Sequence, residues 1–317
     1  MNEQKAGDQV VKPFLKWAGG KTQLLDAFER RFPPELQDRR LSNFVEPFIG
    51  GGAVFFAINK KYGFETAYIC DSNEELVLAY CVVKTKVDAL IDVLSALEIT
   101  FFETPQEDRP SLYYKVREGY NNKKGTTDFL HYRSSWVQRA AELIFLNHTC
   151  FNGLFRVNSH GWFNVPFGSY KKPRILDEHT LSVASESLQN TEISTGDFTT
   201  CEEFVDLNTF VYLDPPYRPL NRTSKFTGYS KDGFNDQDQV RLAEFFKAID
   251  QRGAKVMLSN SDPKNEDPDD SFFDSLYTGY NLDRVPAKRA INSKGARRGA
   301  ISELIITNYS TNHSSSP

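Results

Sequence analysis

Cysteine and long apolar runs are the two features that this sequence of 317 residues has least of. Its four cysteines form no CxxC pair, so the sequence indicates neither a zinc site nor a disulfide framework. No run approaches the roughly 18 apolar residues that a membrane helix needs, and the first residues lack the apolar core of a signal peptide. We therefore expect a cytoplasmic protein that binds no metal and no membrane.

An excess of charge of either sign is also lacking, because the formal net charge is only −4. The charge is nevertheless unevenly distributed. Residues 112–174 contain ten basic side chains and three acidic ones, and residues 284–298 contain six basic side chains and no acidic one. A basic surface beside an acidic body is typical of nucleic-acid-binding proteins, although ordinary solvated helix faces are the alternative explanation.

Short apolar runs that end in a polar residue or a Gly/Pro turn predict five strands, at residues 44–48, 66–71, 209–217, 255–260 and 301–309. Helical patterns lie between some of them, which predicts an α/β fold with a mostly parallel sheet. Ligands of such sheets bind at the carboxyl ends of the strands, where this pattern places Glu46, Asp71, Asp214 and Asn260.

The middle of the chain departs from this alternation. Residues 79–172 contain long helical stretches, two polar connectors and most of the basic excess, which predicts an inserted, mainly helical domain. Residues 1–78 and 173–310 would then form one discontinuous domain, followed by a disordered tail at residues 311–317.

Three consecutive glycines follow the first predicted strand, in the segment FVEPFIGGG at residues 44–52. Asp71 lies 21 residues after Gly50, near the ~20-residue spacing at which an acid meets a ribose hydroxyl. The nicotinamide fingerprint fails, because Phe55 stands where that fingerprint needs glycine. The segment therefore predicts a nucleoside-like ligand, although a tight structural turn explains the glycines about as well.

The segment AGGKT at residues 18–22 is similar to a phosphate-binding loop but fails its pattern, since Leu15 occupies a position that requires glycine. The segment instead predicts a Gly-Gly turn at the start of a helix. There Lys21 can pair with a carboxylate and Trp17 can cover a flat or cationic group.

The turn Asp214-Pro215-Pro216-Tyr217, directly after the apolar run FVYL, is the most specific feature. Its two prolines stiffen the turn and remove two N–H donors, which leaves the Asp214 carboxylate and backbone carbonyls as acceptors. Such a pocket suits a substrate that donates hydrogen bonds, such as an exocyclic amine, and the Tyr217 ring can stack on a planar base. A rigid strand exit is the alternative explanation.

Seven segments resemble those of the Dam family of DNA adenine-N6 methyltransferases, in the same order and from residue 13 to residue 309. They are KWAGGK, FVEPFIGGG, the Asp71-Ser72-Asn73 turn, FNGLFRVN, FNVPFG, DPPY and RAINSKGARRGAISEL. The resemblance implies a Rossmann-like catalytic domain with an inserted target-recognition domain, S-adenosylmethionine as the cofactor and double-stranded DNA as the partner. The similarity is greatest to the members that methylate adenine in GATC.

The resemblance also implies which residues bind the cofactor. Lys21 suits the methionine carboxylate of S-adenosylmethionine, and Asp71 suits its ribose hydroxyls. Asp197 matches the residue expected to hold the adenine amine, although a plain helix N-cap is the alternative. The complete implied set is Trp17, Lys21, Glu46, Pro47, Phe48, Gly50, Gly51, Gly52, Asp71, Asp197 and Asp214.

The catalytic set implied for this chemistry is Asp214, Pro215, Pro216 and Tyr217. The N6 lone pair of adenine is delocalised into the ring, and hydrogen bonds from N6 to the Asp214 carboxylate and the Pro215 carbonyl would localise it. Direct in-line transfer then needs no metal and no covalent enzyme intermediate. The target adenine must first flip out of the duplex. Cytosine-C5 methylation is disfavoured, because no cysteine follows a proline.

Residues 151–158 and 163–168 are predicted to form the two strands of a hairpin around Ser159-His160-Gly161. Arg156 on this hairpin can contact guanine O6 and N7 in the major groove. The residue before Tyr170 is Ser169, where the family often has arginine, so one phosphate contact is either missing or supplied by Lys171 or Lys172. The other implied DNA-binding residues are Asn152, Leu154 and Pro166 at the base-reading surface, and Lys16, Tyr170, Arg297 and Arg298, which solvated surface explains equally well.

Two other functions stay open on the sequence alone. A methyltransferase with the same acceptor pocket could act on RNA or on a protein amide, but that function leaves the FNGLFRVN hairpin without a role. A non-catalytic module could bind DNA or a nucleotide, but it would have no chemical need for Asp214. For the methyltransferase that the resemblance implies, we expect a monomer in solution.

Overall fold

The computed structural model describes residues 12–218, 234–287 and 301–311 of the chain. These residues form a seven-stranded sheet of order β3-β2-β1-β4-β5-β7-β6. Strands β1 to β5 pair in parallel, whereas β7 runs antiparallel to both β5 and β6. The predicted α/β class with a mostly parallel sheet is confirmed. The strands are β1 (Asn43–Glu46), β2 (Thr66–Asp71), β3 (Thr191–Thr195), β4 (Thr209–Leu213), β5 (Lys255–Ser261), β6 (Asn281–Ala287) and β7 (Ile301–Thr307).

Helices cover both faces of this sheet. Within the described residues they are α1 (Leu25–Glu29), α2 (Pro34–Gln37), α3 (Ala53–Tyr62), α4 (Glu74–Thr85), α5 (Val87–Glu103), α6 (Arg109–Asn122), α7 (Ser135–Thr149), α8 (Glu178–Ser187), α9 (Asp236–Gln251) and α10 (Phe272–Leu276). None of these helices has the length and apolar character that crossing a bilayer requires.

The core consists of two apolar clusters, one on each face of the sheet. Strand β4 is buried at every position, and its side chains alternate between the clusters. Phe210 and Tyr212 belong to the cluster that contains apolar residues of α3, α4, α5, α7 and α8, whereas Val211 and Leu213 belong to the cluster that contains apolar residues of α9 and α10. This double burial explains why β4 is a continuous apolar run, as is typical of parallel strands between helices.

The predicted strands correspond to β1, β2, β4, β5 and β7, and the bounds of β2 are the predicted ones. Three predictions extend too far, and in one of them the predicted strand 301–309 ends at Thr307. The other two end close to prolines. The predicted strand 44–48 ends at Glu46, before Pro47, and the predicted strand 209–217 ends at Leu213, two residues before Pro215. Proline has no N–H for the sheet, which accounts for both early ends.

Strands β3 and β6 were not predicted, and both lie at the edges of the sheet. β3 has a single buried position, and β6 contains Asp283, Arg284 and Pro286. Edge strands are covered on fewer sides and carry charges and proline that oppose pairing with other chains. Their sequences therefore lack the apolar run on which the prediction depended.

The predicted hairpin is present but irregular. Its turn is closed by hydrogen bonds between Asn158 and Trp162 and from the Gly161 N–H to the Asn158 carbonyl. The first arm does not begin as a strand, because residues 151–153 form a 3₁₀ turn with Asn152 at a φ of 55°. Two isolated antiparallel bridges join the arms, Cys150 to Phe167 and Val157 to Phe163.

The helical middle of the chain is joined to the sheet layer through α4. Residue 79 lies inside α4, which contacts β2 and β3 at the sheet and also α5 and α7. Residue 172 lies in the loop that follows the hairpin. The division into domains at these two residues stays a prediction.

Candidate active site

The carboxyl ends of the parallel strands bring the predicted acidic residues to one edge of the sheet. Glu46 ends β1, Asp71 ends β2, and Asp214 directly follows β4. Asn260, the fourth residue of the prediction, is buried near the end of β5. The strand-end cluster expected from the topology of an α/β sheet is therefore present.

Lys21 provides the buried cation of this cluster. Its Nζ lies 2.8 Å from Asp214 Oδ2 and donates to the Gly19 carbonyl at 2.6 Å. The same atom lies 4.6 Å from the centroid of the Tyr217 ring. The Gly-Gly turn of the N-terminal segment thus places one ammonium group against both ends of the DPPY turn.

The carboxylate of Asp214 is held on both oxygens. The Ser259 hydroxyl donates to Oδ1 at 2.9 Å, and the Tyr212 hydroxyl lies 2.9 Å from Ser259 Oγ. Burial raises the pKa of Asp214 above its usual value, and the charge of Lys21 and the hydrogen bonds from Lys21 and Ser259 only partly offset it. A carboxylate with a raised pKa is a stronger hydrogen-bond acceptor.

The two prolines of the turn expose different carbonyls. Gln239 of α9 donates from Nε2 to the Pro216 carbonyl at 3.3 Å, and Asn260 donates to Gln239 Oε1 at 3.1 Å. Both amide side chains are completely buried. No described residue makes a corresponding hydrogen bond to the Pro215 carbonyl. The Pro216 carbonyl therefore already accepts a hydrogen bond within the protein, from Gln239.

Tyr217 is fixed by an acid that the sequence analysis did not single out. Its hydroxyl donates to Glu303 Oε2 of β7 at 2.6 Å. Burial raises the pKa of Glu303 from its usual value, and the hydrogen bond from Tyr217 and the charge of Lys21 oppose that effect. Glu303, Ser259 and Gln239 reach the site from strands and a helix whose register the sequence does not reveal.

Glu46 is a buried carboxyl group whose negative charge is poorly compensated. It is almost completely buried, and its Oε2 has no hydrogen-bond partner among the described residues. Burial raises the pKa of Glu46 well above its usual value, and the negative charge of Asp214 raises it further. A buried acceptor without a partner costs free energy, so this oxygen is a place where a donor or cation can be held.

The glycine turn after β1 is tied to the Asp71 turn after β2. The Gly50 N–H donates to Asp71 Oδ2 at 3.1 Å, and the Asn73 N–H donates to Oδ1 at 2.9 Å. Gly52 has a φ of 73°, and a Cβ there would lie 2.5 Å from the Tyr80 hydroxyl. Only glycine fits the backbone at position 52, so this glycine is needed for the turn itself.

The side chains around the glycine turn are apolar. Trp17 is half-buried against it, because a Cβ on Gly50 or Gly51 would lie 3.1 or 3.2 Å from the Trp17 side chain. Pro47 is buried, and its carbonyl accepts from the Cys70 thiol at 3.5 Å. Phe48 is half-buried and packs 5.5 Å from the Phe198 ring and 5.8 Å from the Phe234 ring, centroid to centroid.

Asp197 lies beside this aromatic cluster and caps the 3₁₀ turn Phe198–Phe204. It accepts from the Thr199 N–H at 3.2 Å and pairs with Arg241 at 2.9 Å. Burial alone would raise the pKa of Asp197, but the bonds from Thr199 and Arg241 outweigh it and leave the pKa below its usual value. The N-cap is therefore present, and a role toward a cofactor stays a prediction.

Most of the predicted DNA-binding residues lie on the irregular hairpin or next to it. Arg156 is exposed, and its Nε donates to Asn164 Oδ1 at 2.7 Å. Lys16 is exposed, with Nζ 5.1 Å from the centroid of the Tyr170 ring. Asn152 and Pro166 are exposed, Leu154 and Tyr170 are half-buried, and Arg297 and Arg298 lie outside the described residues.

In the part of the chain that the structure describes, no group of three or more His, Cys, Asp or Glu side chains is arranged to hold a metal ion. The acidic strand ends face Lys21 and backbone N–H groups instead.

A seven-stranded sheet of this order, with polar side chains at the ends of its parallel strands, places the chain among the Rossmann-like methyltransferases. Sequence comparison narrows the class. The chain belongs to the D12 class N6 adenine-specific DNA methyltransferase family, whose sequence model matches residues 17–291. This confirms the family that the motifs predicted.

Named relatives extend over nearly the whole chain. The chain is 51% identical over 300 residues to the Type II methyltransferase M.MjaIII of Methanocaldococcus jannaschii, covering 94% of this chain and 99% of that protein. It is 38% identical to the Type II methyltransferase M1.LlaDCHI of Lactococcus lactis subsp. cremoris, covering 94% and 96%. It is 32% identical to the DNA adenine methylase of Escherichia coli (strain K12), covering 93% and 94%.

Proposed function

We propose that this adenine-specific DNA methyltransferase moves a methyl group from S-adenosylmethionine to N6 of an adenine flipped out of duplex DNA, with GATC as its target. The observation that carries the proposal is the half-buried Asp214 carboxylate in the DPPY turn, held by Lys21 and Ser259. It supports a site built to accept hydrogen bonds from an amine.

The DPPY turn has the hydrogen-bond acceptors that would hold the target amine. An ionised carboxylate has about four acceptor positions, so Asp214 can accept from the N6 amine while it retains Lys21 and Ser259. The Pro216 carbonyl is engaged by Gln239, which leaves the Pro215 carbonyl for the second N6 hydrogen. Two acceptors at these positions would localise the N6 lone pair.

Several features of the site fit S-adenosylmethionine. The unpartnered Glu46 Oε2 and the Asp214 carboxylate suit the positive charges of its methionine part, and Lys21 suits the methionine carboxylate. Asp71 retains free lone pairs for the ribose hydroxyls, and the rings of Phe48, Phe198 and Phe234 suit a planar base. When bound, the cofactor supplies an electrophilic methyl group on sulfur.

The proposed recognition of the DNA sequence depends on the hairpin at residues 151–168. An adenine stacked in a duplex cannot reach the half-buried Asp214 carboxylate, so it must flip, at a cost of a few kcal/mol. The exposed Arg156 side chain can pair with a guanine edge, and Asn152, Leu154 and Pro166 lie beside it on the same hairpin. The GATC target rests on the resemblance to family members with that specificity.

The test uses methyl-labelled S-adenosylmethionine with the wild type, Asp214→Ala and a control variant, Asp206→Ala. Asp206 is a carboxylate just before the amino end of β4, hydrogen-bonded to Thr209, far along the strand from the site. The substrates are duplexes with GATC or a scrambled sequence, an RNA of the same sequence and a protein mixture.

We expect label on adenine N6 of the GATC duplex from the wild type and Asp206→Ala. In Asp214→Ala the single-turnover rate should fall about 100-fold or more, with DNA affinity retained. Equal rates in Asp214→Ala and the wild type would contradict the mechanism. Label on the scrambled duplex would contradict the target sequence. Label on RNA or protein alone, or binding without label, would favour the other functions.

A further inference from the structure

Asn147, near the carboxyl end of α7, is a completely buried amide that neither the motifs nor the proposed chemistry use. Its Oδ1 accepts from the Lys16 N–H at 2.8 Å, and its Nδ2 donates to the Lys16 carbonyl at 2.8 Å. The same Nδ2 donates to the Gly153 carbonyl at 3.0 Å. One side chain therefore fastens two segments that are far apart in the sequence.

The two segments that Asn147 joins are also in direct contact. Gly153 has a φ of 61°, and a Cβ at this position would overlap the Lys16 side chain. Next to it, the Trp17 and Phe155 rings stack, with centroids 5.2 Å apart and an interplanar angle of 23°. The 3₁₀ turn of the hairpin is thus seated on residues 16–17.

Residues 16–17 lead directly into the predicted cofactor site. Trp17 lies against the glycine turn after β1, and Lys21 pairs with Asp214. On the other side, Gly153 stands between Asn152 and Leu154, two predicted base-reading residues. A shift at Asn147 would therefore displace the hairpin relative to the cofactor segment.

We propose that Asn147 is a positioning residue that holds the hairpin in register with residues 16–17, so that cofactor binding and DNA reading favour each other. The inference rests on the proposed function and deepens it. Because coupling between two sites is reciprocal, a cofactor product that tightens DNA binding must itself be bound more tightly in the presence of DNA, by the same factor.

The chain offers a matched control in Asn121 of α6. Its Nδ2 donates to the Phe163 carbonyl at 3.0 Å, and its Oδ1 accepts from the Phe163 N–H at 2.8 Å. This amide holds the second arm of the hairpin by the same kind of bonds. In the described structure it makes no hydrogen bond to residues 16–17.

The experiment compares the wild type, Asn147→Asp and Asn121→Asp. Each substitution is close to isosteric; it keeps the acceptor and removes the donated bonds, two in Asn147 and one in Asn121. Each also introduces a carboxylate, at a completely buried position in Asn147 and a half-buried one in Asn121, so the unfolding midpoint is read beside the binding factor. The readouts are the affinity for a fluorescent GATC duplex with and without S-adenosylhomocysteine, kcat and the KM for S-adenosylmethionine, and the thermal unfolding midpoint.

We expect S-adenosylhomocysteine to tighten DNA binding of the wild type about tenfold or more, a factor typical of coupled sites. In Asn147→Asp this factor should fall toward one, with a larger change in the KM for S-adenosylmethionine than in kcat. In Asn121→Asp the factor should be retained even if DNA binding weakens and the unfolding midpoint drops. A merely structural role would lower the unfolding midpoint of Asn147→Asp and leave its factor unchanged.

The inference is overturned if S-adenosylhomocysteine does not tighten DNA binding of the wild type. It is also overturned if S-adenosylhomocysteine tightens DNA binding of Asn147→Asp by the same factor as in the wild type. If Asn147→Asp does not fold, Phe155→Leu decides, because it removes the stack on Trp17 from a half-buried position. We expect a reduced factor in Phe155→Leu, and an unchanged factor would overturn the inference. A wild type that methylates no DNA would instead contradict the proposed function, since coupling is measured by binding alone.

Discussion

The strand-end site and the hairpin at residues 151–168 differ in how tightly their side chains are held. In the site, Lys21 is buried, Asp214 is half-buried, and hydrogen bonds or ion pairs occupy both oxygens of the Asp214 carboxylate. On the hairpin, Arg156 is exposed and bonded only to Asn164 among the described residues, and two isolated bridges join the arms.

This difference separates two tasks. Chemistry on a weak nucleophile requires acceptors whose positions are fixed before the substrate arrives, because reorganisation at the moment of reaction costs rate. Reading a base edge requires side chains that can leave their resting partners for those of the DNA. Substitutions in the site should therefore change the rate, and substitutions on the hairpin should change the choice of sequence.

The largest effect is expected for Lys21→Met, which keeps the length of the side chain and removes its charge. Asp214 would lose its ion-pair partner and Tyr217 its cation contact. We expect single-turnover methylation to slow by about 100-fold or more, as for the loss of one preorganised electrostatic group. Rapid-quench measurements with saturating cofactor would check it. A rate within a factor of two of the wild type would contradict the arrangement.

The residual activity of the same variant should also have a changed pH dependence. The reaction needs an ionised Asp214, so the rate falls as the pH drops through its pKa. Lys21 lowers that pKa, and burial raises it. Without Lys21 the acidic limb should move to higher pH, which rate profiles from about pH 5 to pH 9 would show. Acidic limbs at the same pH in Lys21→Met and in the wild type would contradict the prediction.

A smaller and different effect is expected for Arg156→Ala. A bidentate contact with guanine is worth roughly 1 to 3 kcal/mol of discrimination, or about 5- to 150-fold. We expect the rates on duplexes with one altered guanine to approach the rate on GATC, with little loss of nonspecific binding. Arg133→Ala is the control, since Arg133 is also exposed and pairs with Asp128. Equal discrimination in both variants would leave Arg156 without a reading role.

The smallest effect is expected for Asp197→Asn, which separates the two roles of this residue. Asparagine caps helix starts about as well as aspartate, so the unfolding midpoint should hardly change. If the carboxylate holds the cofactor amine, the KM for S-adenosylmethionine should rise about tenfold, as for a lost hydrogen bond to a charged group. Arg241→Ala removes the half-exposed ion pair and should cost less. An unchanged KM for S-adenosylmethionine in Asp197→Asn would mean that Asp197 acts only as a helix cap.

The strand-end site was predictable because its motifs stand next to strands. Glu46, Asp71 and Asp214 each end or follow a buried apolar run, and parallel strands end at one edge of a sheet. Glu303 and Gln239 were not predictable in the same way. They reach the site through the pairing of β7 with β5 and the packing of α9, which no local pattern encodes.

The hairpin was predicted less well, for a reason that lies in its backbone. Alternating residues in FNGLFRVN and FNVPFG indicate two extended strands, but Asn152 and Gly153 both adopt a positive φ. Pro166 further removes an N–H that a ladder would need. The position of the turn was nevertheless correct, because Asn158 and Gly161 close it by local hydrogen bonds.

The position of β7 has a consequence for synthesis of the protein. This strand is translated after β5 and β6 but lies between them, and it carries the Glu303 carboxylate that fixes Tyr217. Until residues 301–307 leave the ribosome, β5 has an unpaired edge and Tyr217 lacks its partner. A nascent chain can therefore pair strands β1 to β5 early, whereas the contact between Tyr217 and Glu303 forms only after residues 301–307 have been translated.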